Sequence, residues 1–328
     1  GDNIFGLKFM AVVWYLLTNI LLYKTTLRYT EAYLPNQNKN SLAFLSMILL
    51  NLTLFAHIYS ITIVPDTPLI FFWLLVVFAI QERIITGNKN WWFLAGVALG
   101  LGLVSKYTAV AMIGAIFFFF LFSSKHRKEL LSPYPYLAIV IGFLIFAPVI
   151  YWNYERGWAS FLFQSAERAD TVRSLRITYI LQLFGSQLFM LTPLVFVYLF
   201  KSIGTTVRTW RVNSSLRLFF WSAMIIIGGF TLVSLTSLVK MNWLLPGFLP
   251  MIILIAVLYS NKFIHQSKTM SVGIWISIVL IIVSHLIMVI PNIPLGNGNT
   301  WSGWEDSAQK VYEIQQERGG KDKVFIFS

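Results

Sequence analysis

The sequence has no cysteine and few charged residues, and basic residues outnumber acidic ones by 25 to 13. The absence of cysteine excludes disulfides and thiolate metal sites, and it carries no information about the redox compartment. Charged residues make up 12% of the 328 residues, whereas hydrophobic residues make up 57% and include 28 phenylalanines. A soluble domain carries roughly 25% charged residues. The composition therefore indicates a protein embedded in a lipid bilayer.

Apolar segments long enough to cross a bilayer recur along almost the whole chain. A transmembrane helix needs about 20 apolar residues to cross the hydrocarbon core. We therefore predict an all-α polytopic membrane protein with ten spans, two of them short. The predicted spans are 7–23, 41–63, 67–85, 91–104, 107–122, 134–152, 178–200, 217–238, 243–260 and 270–290.

The segment 91–122 is ambiguous, because the polar residues of "LVSKYTAV" interrupt it at 105–108. A single span there would reverse the sides of everything that follows. With two spans, 14 of the 25 Lys and Arg lie in connections on one side, which the positive-inside rule assigns to the cytoplasm. We therefore predict two spans, and topology explains the net charge of +12 without nucleic acid as a partner. The connections on that side are 24–40, 82–90, 123–133, 201–217 and 261–269.

The opposite, outward side contains the few ionisable residues that this topology does not explain. Asp66 stands between two prolines in "IVPDTPLIFFW", either as the N-cap of the next helix or as a carboxylate of an outward-facing site. Lys106 and Lys240 lie at the outward ends of spans. Ionisable groups at the membrane boundary are candidates for a functional site, and the alternative for a lysine is snorkelling to lipid headgroups.

The two ends of the sequence lead to separate expectations. The first predicted span begins within a few residues of Gly1, so we expect a preceding span and outward loop to be missing. A transmembrane domain is predicted over 1–291 and the beginning of an extracytoplasmic domain over 292–328. In that second part, a capping box from Ser302 to Glu305 predicts a helix, and the alternation in "KVFIFS" predicts a strand. We therefore expect the start of a small α/β domain.

Five phrases in order carry a family resemblance: "VPDTPLIFFWLLVVFA", "WFLAGVALGLGLVSKYTAV", "FAPVIYWNYERGWASFLFQSAER", "SLVKMNWLLPGFLP" and "GWEDSAQKVYE". Over about residues 3–315 the chain resembles bacterial members of the dolichyl-phosphate-mannose-protein mannosyltransferase-like family. These are polytopic glycosyltransferases of the GT-C fold, and the lipid A aminoarabinose transferases are relatives. The resemblance implies an enzyme that moves one sugar from a polyprenyl-phosphate donor to an acceptor at the outer face of the bacterial cytoplasmic membrane.

Such a donor presents a hydrocarbon chain, a phosphodiester and a sugar, so its site needs an apolar groove, cations and a carboxylate. We expect Lys106 and Lys240 to bind the phosphodiester as leaving-group charge develops. Asp66 is the candidate catalytic residue, more plausibly positioning the donor or a metal ion than removing the acceptor's proton. The family's principal acidic residue usually lies in the first outward loop, so we expect the general base to be missing and this chain alone to be inactive. Further candidate substrate-binding residues are Tyr107, Gln164, Arg168 and Asn242.

Several alternatives stay open at this point. There is no His or carboxylate cluster at metal-ligand spacing, so no metal site is predicted, although a divalent metal ion as cofactor is left open. Membrane lipids are expected partners, and the acceptor could be a glycan, a lipid or a protein. The Gly-rich stretches "GVALGLG" and "IIIGGF" lie inside spans, which favours close helix packing. The competing function is a transporter or flippase of envelope lipids, since transporters also have broken spans beside ionisable residues. A non-catalytic membrane scaffold is the third possibility.

Overall fold

The computed structural model describes residues 4–163, 175–211, 214–265, 268–290 and 304–319. In this part of the chain the secondary structure is helical, with no strand. The predicted strand near the C-terminus, in 323–328, lies outside the described residues. The chain divides into two compact units, Gly1–Ser277 and Ile278–Ser328. The predicted domain boundary at 291/292 also lies outside the described residues and stays a prediction.

The described helices follow the predicted spans closely. Each of the ten predicted segments is found as a helix or as a pair of helices separated by a break, and 41–63 is such a pair with a bend of 76°. We number them as follows: α1 Ile4–Tyr33, α2 Lys39–Asn51, α3 Leu54–Ile61, α4 Asp66–Thr86, α5 Trp91–Ser105, α6 Ala111–Leu121, α7 Tyr134–Glu155, α8 Ile177–Arg208, α9 Arg217–Val233, α10 Leu245–Ile264, α11 Lys268–Val289 and α12 Trp304–Glu317.

Seven helical segments of the described chain are long and apolar enough to cross a membrane, or eight if the bent pair α2–α3 counts as one span. Helices α5 and α6 are shorter, which agrees with the two short spans predicted from the sequence. The seven segments are Lys8–Tyr33, Asp66–Thr86, Tyr134–Glu155, Ile177–Arg208, Ser214–Val233, Met241–Phe263 and Met270–Ile287.

The ambiguous segment 91–122 forms two helices that fold back on each other. Helix α5 ends at Ser105, Lys106 has extended backbone angles, and the 3-10 turn Tyr107–Val110 leads into α6. Trp92 at the start of α5 and Phe120 at the end of α6 have ring centroids 5.6 Å apart. One continuous helix would separate these two rings by about 42 Å at 1.5 Å per residue. The segment therefore forms two helices, as the prediction of two spans requires.

Connections that were predicted to share the cytoplasmic side gather at one end of the helical bundle. Polar contacts link four of these five connections, 24–40, 82–90, 123–133 and 201–217. Their positions agree with the side-by-side arrangement that the charge distribution predicted. The contacts are Arg28 Nε to Glu82 Oε1 at 2.8 Å, Arg83 Nη2 to Glu129 Oε1 at 2.5 Å, and Tyr29 to Ser215 at 2.8 Å.

Glycines of "GVALGLG" allow α5 to lie directly against α7. A Cβ atom on Gly96 would lie 2.7 Å from the carbonyl oxygen of Ala138, and one on Gly100 would lie 2.7 Å from Cβ of Ile145. The close-packing prediction holds for this stretch. It is wrong for "IIIGGF", because a Cβ on Gly229 would meet nothing within 4 Å and both Gly228 and Gly229 line a cavity.

Helix α8 is kinked at Thr192, whose backbone φ of 62° and ψ of 153° are not helical. Pro193 follows and cannot donate a backbone hydrogen bond. The Thr192 hydroxyl donates to the carbonyl oxygen of Leu52 at 3.0 Å, and the hydroxyl of Ser277 donates to Thr192 at 2.8 Å. The kink in α8 therefore packs on the break between α2 and α3.

In the second unit, the described residues are the last part of α11 and helix α12. Helix α12 lies where the capping-box pattern predicted a helix, so that prediction is confirmed. Its described side chains are mostly exposed. It ends before Gly319, whose φ of 106° is typical of the glycine that follows a helix.

Candidate functional site

Asp66 is the first residue of α4 and does not cap it. The N-cap position is occupied by Pro65, and the structure shows no side-chain hydrogen bond to the first turn of this helix. The alternative interpretation of Asp66 as an N-cap is therefore wrong. Pro68 lies in the first turn of α4. A missing N–H costs nothing there, because the N–H groups of the first turn have no acceptor within the helix. The two prolines thus fix where α4 begins, and the carboxylate is left for other partners.

The carboxylate of Asp66 joins two distant parts of the chain. Its Oδ1 accepts a hydrogen bond from Lys106 Nζ at 2.7 Å, and its Oδ2 accepts one from Asn242 Nδ2 at 2.8 Å. The side chain of Asp66 is 4% exposed and that of Lys106 is 23% exposed. Three of the predicted site residues therefore form one cluster, which we call the Asp66 cluster: Asp66, Lys106 and Asn242.

Pairing explains how a carboxylate can be buried at this position. An isolated buried carboxylate is strongly disfavoured, and a cation with additional hydrogen bonds offsets that cost. The N-terminal end of α4 adds a favourable electrostatic contribution to an anion in its first turn. A carboxylate has about four acceptor positions and these two donors use two of them. Asp66 can therefore accept a further hydrogen bond or provide an oxygen ligand to a cation.

The break between α5 and α6 brings the ammonium group of Lys106 to Asp66. Lys106 has φ −158° and ψ 132°, so the chain leaves the α-helical path at this residue. Its N–H still donates to the Gly102 carbonyl at 2.9 Å, and its carbonyl accepts from Ala109 N at 3.0 Å. The polar interruption noted in the sequence is thus a defined turn that places a lysine beside the start of α4.

Tyr107 is not hydrogen-bonded to the Asp66 cluster. Its hydroxyl is hydrogen-bonded to Ser160 at 2.8 Å, and its ring packs against Phe146 and Phe161 at centroid distances of 5.6 and 5.1 Å. The structure therefore connects Tyr107 to the segment after α7 instead of to the carboxylate of Asp66. The other two residues predicted in that connection, Gln164 and Arg168, lie outside the described residues.

Lys240 is two residues before Asn242 in the sequence but is not part of the Asp66 cluster. It immediately precedes the 3-10 turn Met241–Leu244 that carries Asn242. Its side chain is exposed, and within the described residues it makes no ion pair. The two predicted phosphate-binding lysines are therefore different: Lys106 is held by a carboxylate, whereas Lys240 is exposed and unpaired within the described residues.

Two buried amides near this end of the bundle were not singled out from the sequence. Asn153, fully buried, accepts from Ser160 N at 3.2 Å and donates to the Val149 carbonyl at 3.0 Å, which fixes the turn after α7. Gln187 of α8 donates to the Met241 carbonyl at 3.2 Å and so holds the turn that carries Asn242. The sequence signal for Gln187 is an amide within an apolar run, and that for Asn153 is an amide at the end of one.

Two apolar cavities adjoin this region. One, of about 700 Å³, is lined by residues on both sides of Asp66, including Pro65 and Thr67, and by Ser105 next to Lys106. The other, of about 750 Å³, lies between α8, α9 and α10, and Gln187 and Leu244 are among its lining residues. Both linings are almost entirely hydrophobic, so hydrocarbon is the chemistry that they accommodate.

The described residues contain no group of three or more His, Cys, Asp and Glu side chains that could hold a metal ion. Asp66 is the carboxylate of the cluster, and its two remaining acceptor positions could contribute to the coordination of a cation that enters with a phosphate-bearing ligand. Its present partners, an ammonium and an amide N–H, are donors and not metal ligands.

An apolar helical bundle of many spans, with an ion pair at one end beside hydrocarbon-lined cavities, defines a multi-pass membrane protein. The family model described as dolichyl-phosphate-mannose-protein mannosyltransferase matches residues 1–152. The resemblance predicted from the sequence is confirmed over this part of the chain. A comparison with curated protein sequences gives no significant match.

Two solved structures are similar in fold, both of ArnT from Cupriavidus metallidurans. The structure of ArnT bound to undecaprenyl phosphate has a TM-score of 0.59 and 15% sequence identity, and the match covers 93% of this chain and 54% of that chain. The apo structure has a TM-score of 0.58 and 14% identity with the same coverage. The predicted GT-C-like fold is therefore confirmed. The chain spans about half the length of these ArnT structures.

Proposed function

We propose that the protein is a membrane glycosyltransferase, which transfers a single sugar from a polyprenyl-phosphate donor at the extracytoplasmic face of the bacterial cytoplasmic membrane. The observation that carries this proposal is the Asp66 cluster, a buried carboxylate held by a cation and an amide at one end of an apolar bundle. The family match over residues 1–152 and the fold shared with ArnT support it.

Transfer of the sugar leaves negative charge on the polyprenyl phosphate, and cations positioned at that oxygen lower the barrier. Lys240 is exposed and, within the described residues, unpaired, so it can bind the phosphate directly. Lys106 uses one N–H on Asp66 and has two donors left. In this proposal Lys240 binds the arriving phosphate, and Lys106 contributes to the stabilisation of the leaving group.

Asp66 acts in this proposal by orienting the donor and Lys106. A general base must lie within hydrogen-bond reach of the acceptor hydroxyl. Asp66 is buried and already accepts from two donors, so it suits a positioning role better than proton removal. The acceptor's proton is therefore not assigned to Asp66 in this proposal.

The hydrocarbon chain of the donor needs an apolar groove that reaches the phosphate site. The two cavities beside the Asp66 cluster fit this need, because each has almost only hydrophobic residues along its wall. In ArnT from Cupriavidus metallidurans the bound ligand is undecaprenyl phosphate. By analogy, we propose a lipid carrier of that class here.

The test is equilibrium binding of undecaprenyl phosphate to the full-length protein in nanodiscs of zwitterionic lipid. We expect Lys240→Met to weaken binding roughly tenfold or more, as for a charge-assisted hydrogen bond of about 1.5–3 kcal/mol. The matched control is Lys125→Met, because Lys125 is also exposed but lies in the connection 123–133 at the other end. Unchanged affinity in both Lys240→Met and Lys106→Met, with the proteins folded, would overturn the proposal.

Transport or flipping of an envelope lipid is the second candidate function. It is favoured by one observation, the packing of the α8 kink at Thr192 on the break between α2 and α3, since discontinuous helices meet at transporter binding sites. A reconstituted assay separates the two functions. Transfer of labelled sugar to an acceptor supports the transferase, whereas movement of the labelled lipid between leaflets without transfer supports transport.

A further inference from the structure

The connections at the predicted cytoplasmic end differ in how their positive charge is balanced. The connections 24–40, 82–90 and 123–133 each contain one Glu, and each of these carboxylates forms an ion pair with an Arg or Lys of the same three connections. The connections 201–217 and 261–269 contain six basic residues and no acidic one. The positive charge is therefore neutralised within the chain in the first three connections and not in the last two.

The lack of acidic residues extends beyond these two connections, because no Asp or Glu occurs in 171–304. Within the described residues, none of the six basic residues forms an ion pair, and all of them except Arg217 are exposed. The described part of the chain thus provides no counter-charge for them. The six residues are Lys201, Arg208, Arg211, Arg217, Lys262 and Lys268.

Two of these lysines lie over one cluster of aromatic rings. Lys201 Nζ, on α8, is 4.9 Å from the centroid of the Tyr198 ring, and Lys262 Nζ, on α10, is 5.7 Å from that of the Tyr259 ring. The two tyrosine rings pack edge to face with centroids 5.0 Å apart. The hydroxyl of Tyr259 is hydrogen-bonded to Thr205 at 2.7 Å, which ties α10 to α8. We call this pair of lysines on packed rings the Lys201–Lys262 site.

The ring contacts position the two ammonium groups without neutralising them. An aromatic face attracts a cation but carries no net charge, whereas a carboxylate would cancel the charge of the lysine. An ammonium group also has three N–H donors. Both lysines therefore keep charge and hydrogen-bond donors for an external anion.

The position of the site indicates which anion it meets. Lys201 and Lys262 lie near the ends of Ile177–Arg208 and Met241–Phe263, two of the segments long enough to cross a membrane. Val197, one helical turn before Lys201 and so on the same face of α8, is 46% exposed. An exposed apolar residue below a cation matches a lipid molecule, whose acyl chain lies along the helix and whose phosphate lies at the boundary.

We propose that Lys201 and Lys262 form a binding site for the phosphate of an anionic glycerophospholipid in the cytoplasmic leaflet. The site lies at the opposite end of the bundle from the Asp66 cluster and is independent of the donor site. An acidic protein segment has complementary charge too, but it has no group for the apolar surface at Val197. A zwitterionic lipid binds more weakly, because its own cation neutralises its phosphate.

The test is native mass spectrometry of the delipidated full-length protein, titrated with phosphatidylglycerol or with phosphatidylcholine of the same acyl chains. We expect the wild-type protein to prefer phosphatidylglycerol. Lys201→Gln and Lys262→Gln should each weaken phosphatidylglycerol about fivefold, the effect of one basic residue near an anionic lipid, and the double variant roughly twentyfold or more. Each variant should change phosphatidylcholine by less than twofold.

The matched control is Lys89→Gln. Lys89 is also exposed, and its Nζ also lies 4.9 Å from the centroid of a tyrosine ring, that of Tyr134, but its connection 82–90 contains a carboxylate. This variant removes the same charge and the same kind of ring contact, and it should change the affinity for phosphatidylglycerol by less than twofold. Lys201→Arg, which keeps the charge, should also stay within twofold of the wild type.

Three results would overturn the inference. Equal affinity of the wild-type protein for the two lipids would mean that the site does not select an anionic headgroup. Equal losses in Lys89→Gln and Lys201→Gln would show an effect of surface charge alone. If a polyglutamate peptide binds and loses affinity in Lys201→Gln while phosphatidylglycerol does not, the lysines recognise an acidic protein segment. No sugar donor is used, so the result does not depend on the proposed glycosyltransferase reaction.

Discussion

Lys106 Nζ lies 2.7 Å from Asp66 Oδ1, and this contact joins the break after α5 to the first residue of α4. From the sequence, Lys106 was expected to bind the donor phosphate, with snorkelling to lipid headgroups as the alternative. The structure shows an ion pair with Asp66. Because an ammonium has three N–H groups, the same lysine can still contact a phosphate, and the pair holds it in position beside the start of α4.

Asp66→Asn should lower sugar transfer by the full-length protein at least tenfold with little change in stability. Asparagine can still accept from Lys106, and its amide can donate to Asn242 if that side chain turns over, so the fold is retained while the charge is lost. The measurement is the initial rate of labelled-sugar transfer. Glu82→Gln is the control, since Glu82 is a buried carboxylate at the other end of the same helix. Activity within twofold of wild type would exclude a charge-dependent role for Asp66.

Lys106→Met should destabilise the protein, because it leaves the buried carboxylate of Asp66 without its cation. We expect a loss of about 1–3 kcal/mol in the free energy of unfolding, moderated by the partial exposure of Lys106. In the double variant Asp66→Asn with Lys106→Met, most of that loss should be recovered. The measurement is a double-mutant cycle from reversible unfolding in mixed micelles. Additive effects of the two substitutions would mean that the pair contributes no coupling energy.

Gly96→Ala should destabilise the contact between α5 and α7. The added Cβ would lie 2.7 Å from a backbone carbonyl of α7, so the two helices must move apart, at a cost of about 1–3 kcal/mol. Gly185→Ala in α8 is the matched control, because a Cβ there meets nothing within 4 Å and alanine favours the helix. Thermal unfolding in detergent measures both. Equal melting temperatures for the two variants would contradict the close packing.

A topology reporter fused after Lys128 should report the cytoplasm, and one fused after Gly157 should report the opposite side. The reason is that α7, Tyr134–Glu155, is one of the segments long enough to cross the membrane and separates the two positions. A fusion after Asn88 serves as the control and should agree with the one at Lys128, since Arg83 and Glu129 join these two connections. The same signal at Lys128 and Gly157 would show that α7 does not cross.

The helical, membrane-embedded character of the protein was determined by the sequence alone. Apolar runs of about 20 residues must satisfy their backbone hydrogen bonds internally in a bilayer, which leaves the α-helix as the available form for each run. The charge distribution favoured two spans at 91–122, and the packing of Trp92 against Phe120 shows the two helices that this requires. The positions of the breaks also followed from local chemistry, as at Pro65 and Pro68 before α4 and within it.

The membership of the Asp66 cluster was decided by the tertiary structure. Asp66, Lys106 and Asn242 are separated by 40 and 136 residues in sequence, and only the packing of their helices brings the side chains within hydrogen-bond distance. The same holds for Gln187, a lone amide in an apolar run, and for the difference between the paired Lys106 and the exposed Lys240. Periodicity determines which residues form helices, whereas side-chain contacts between helices depend on axial offsets and rotations that no local pattern encodes.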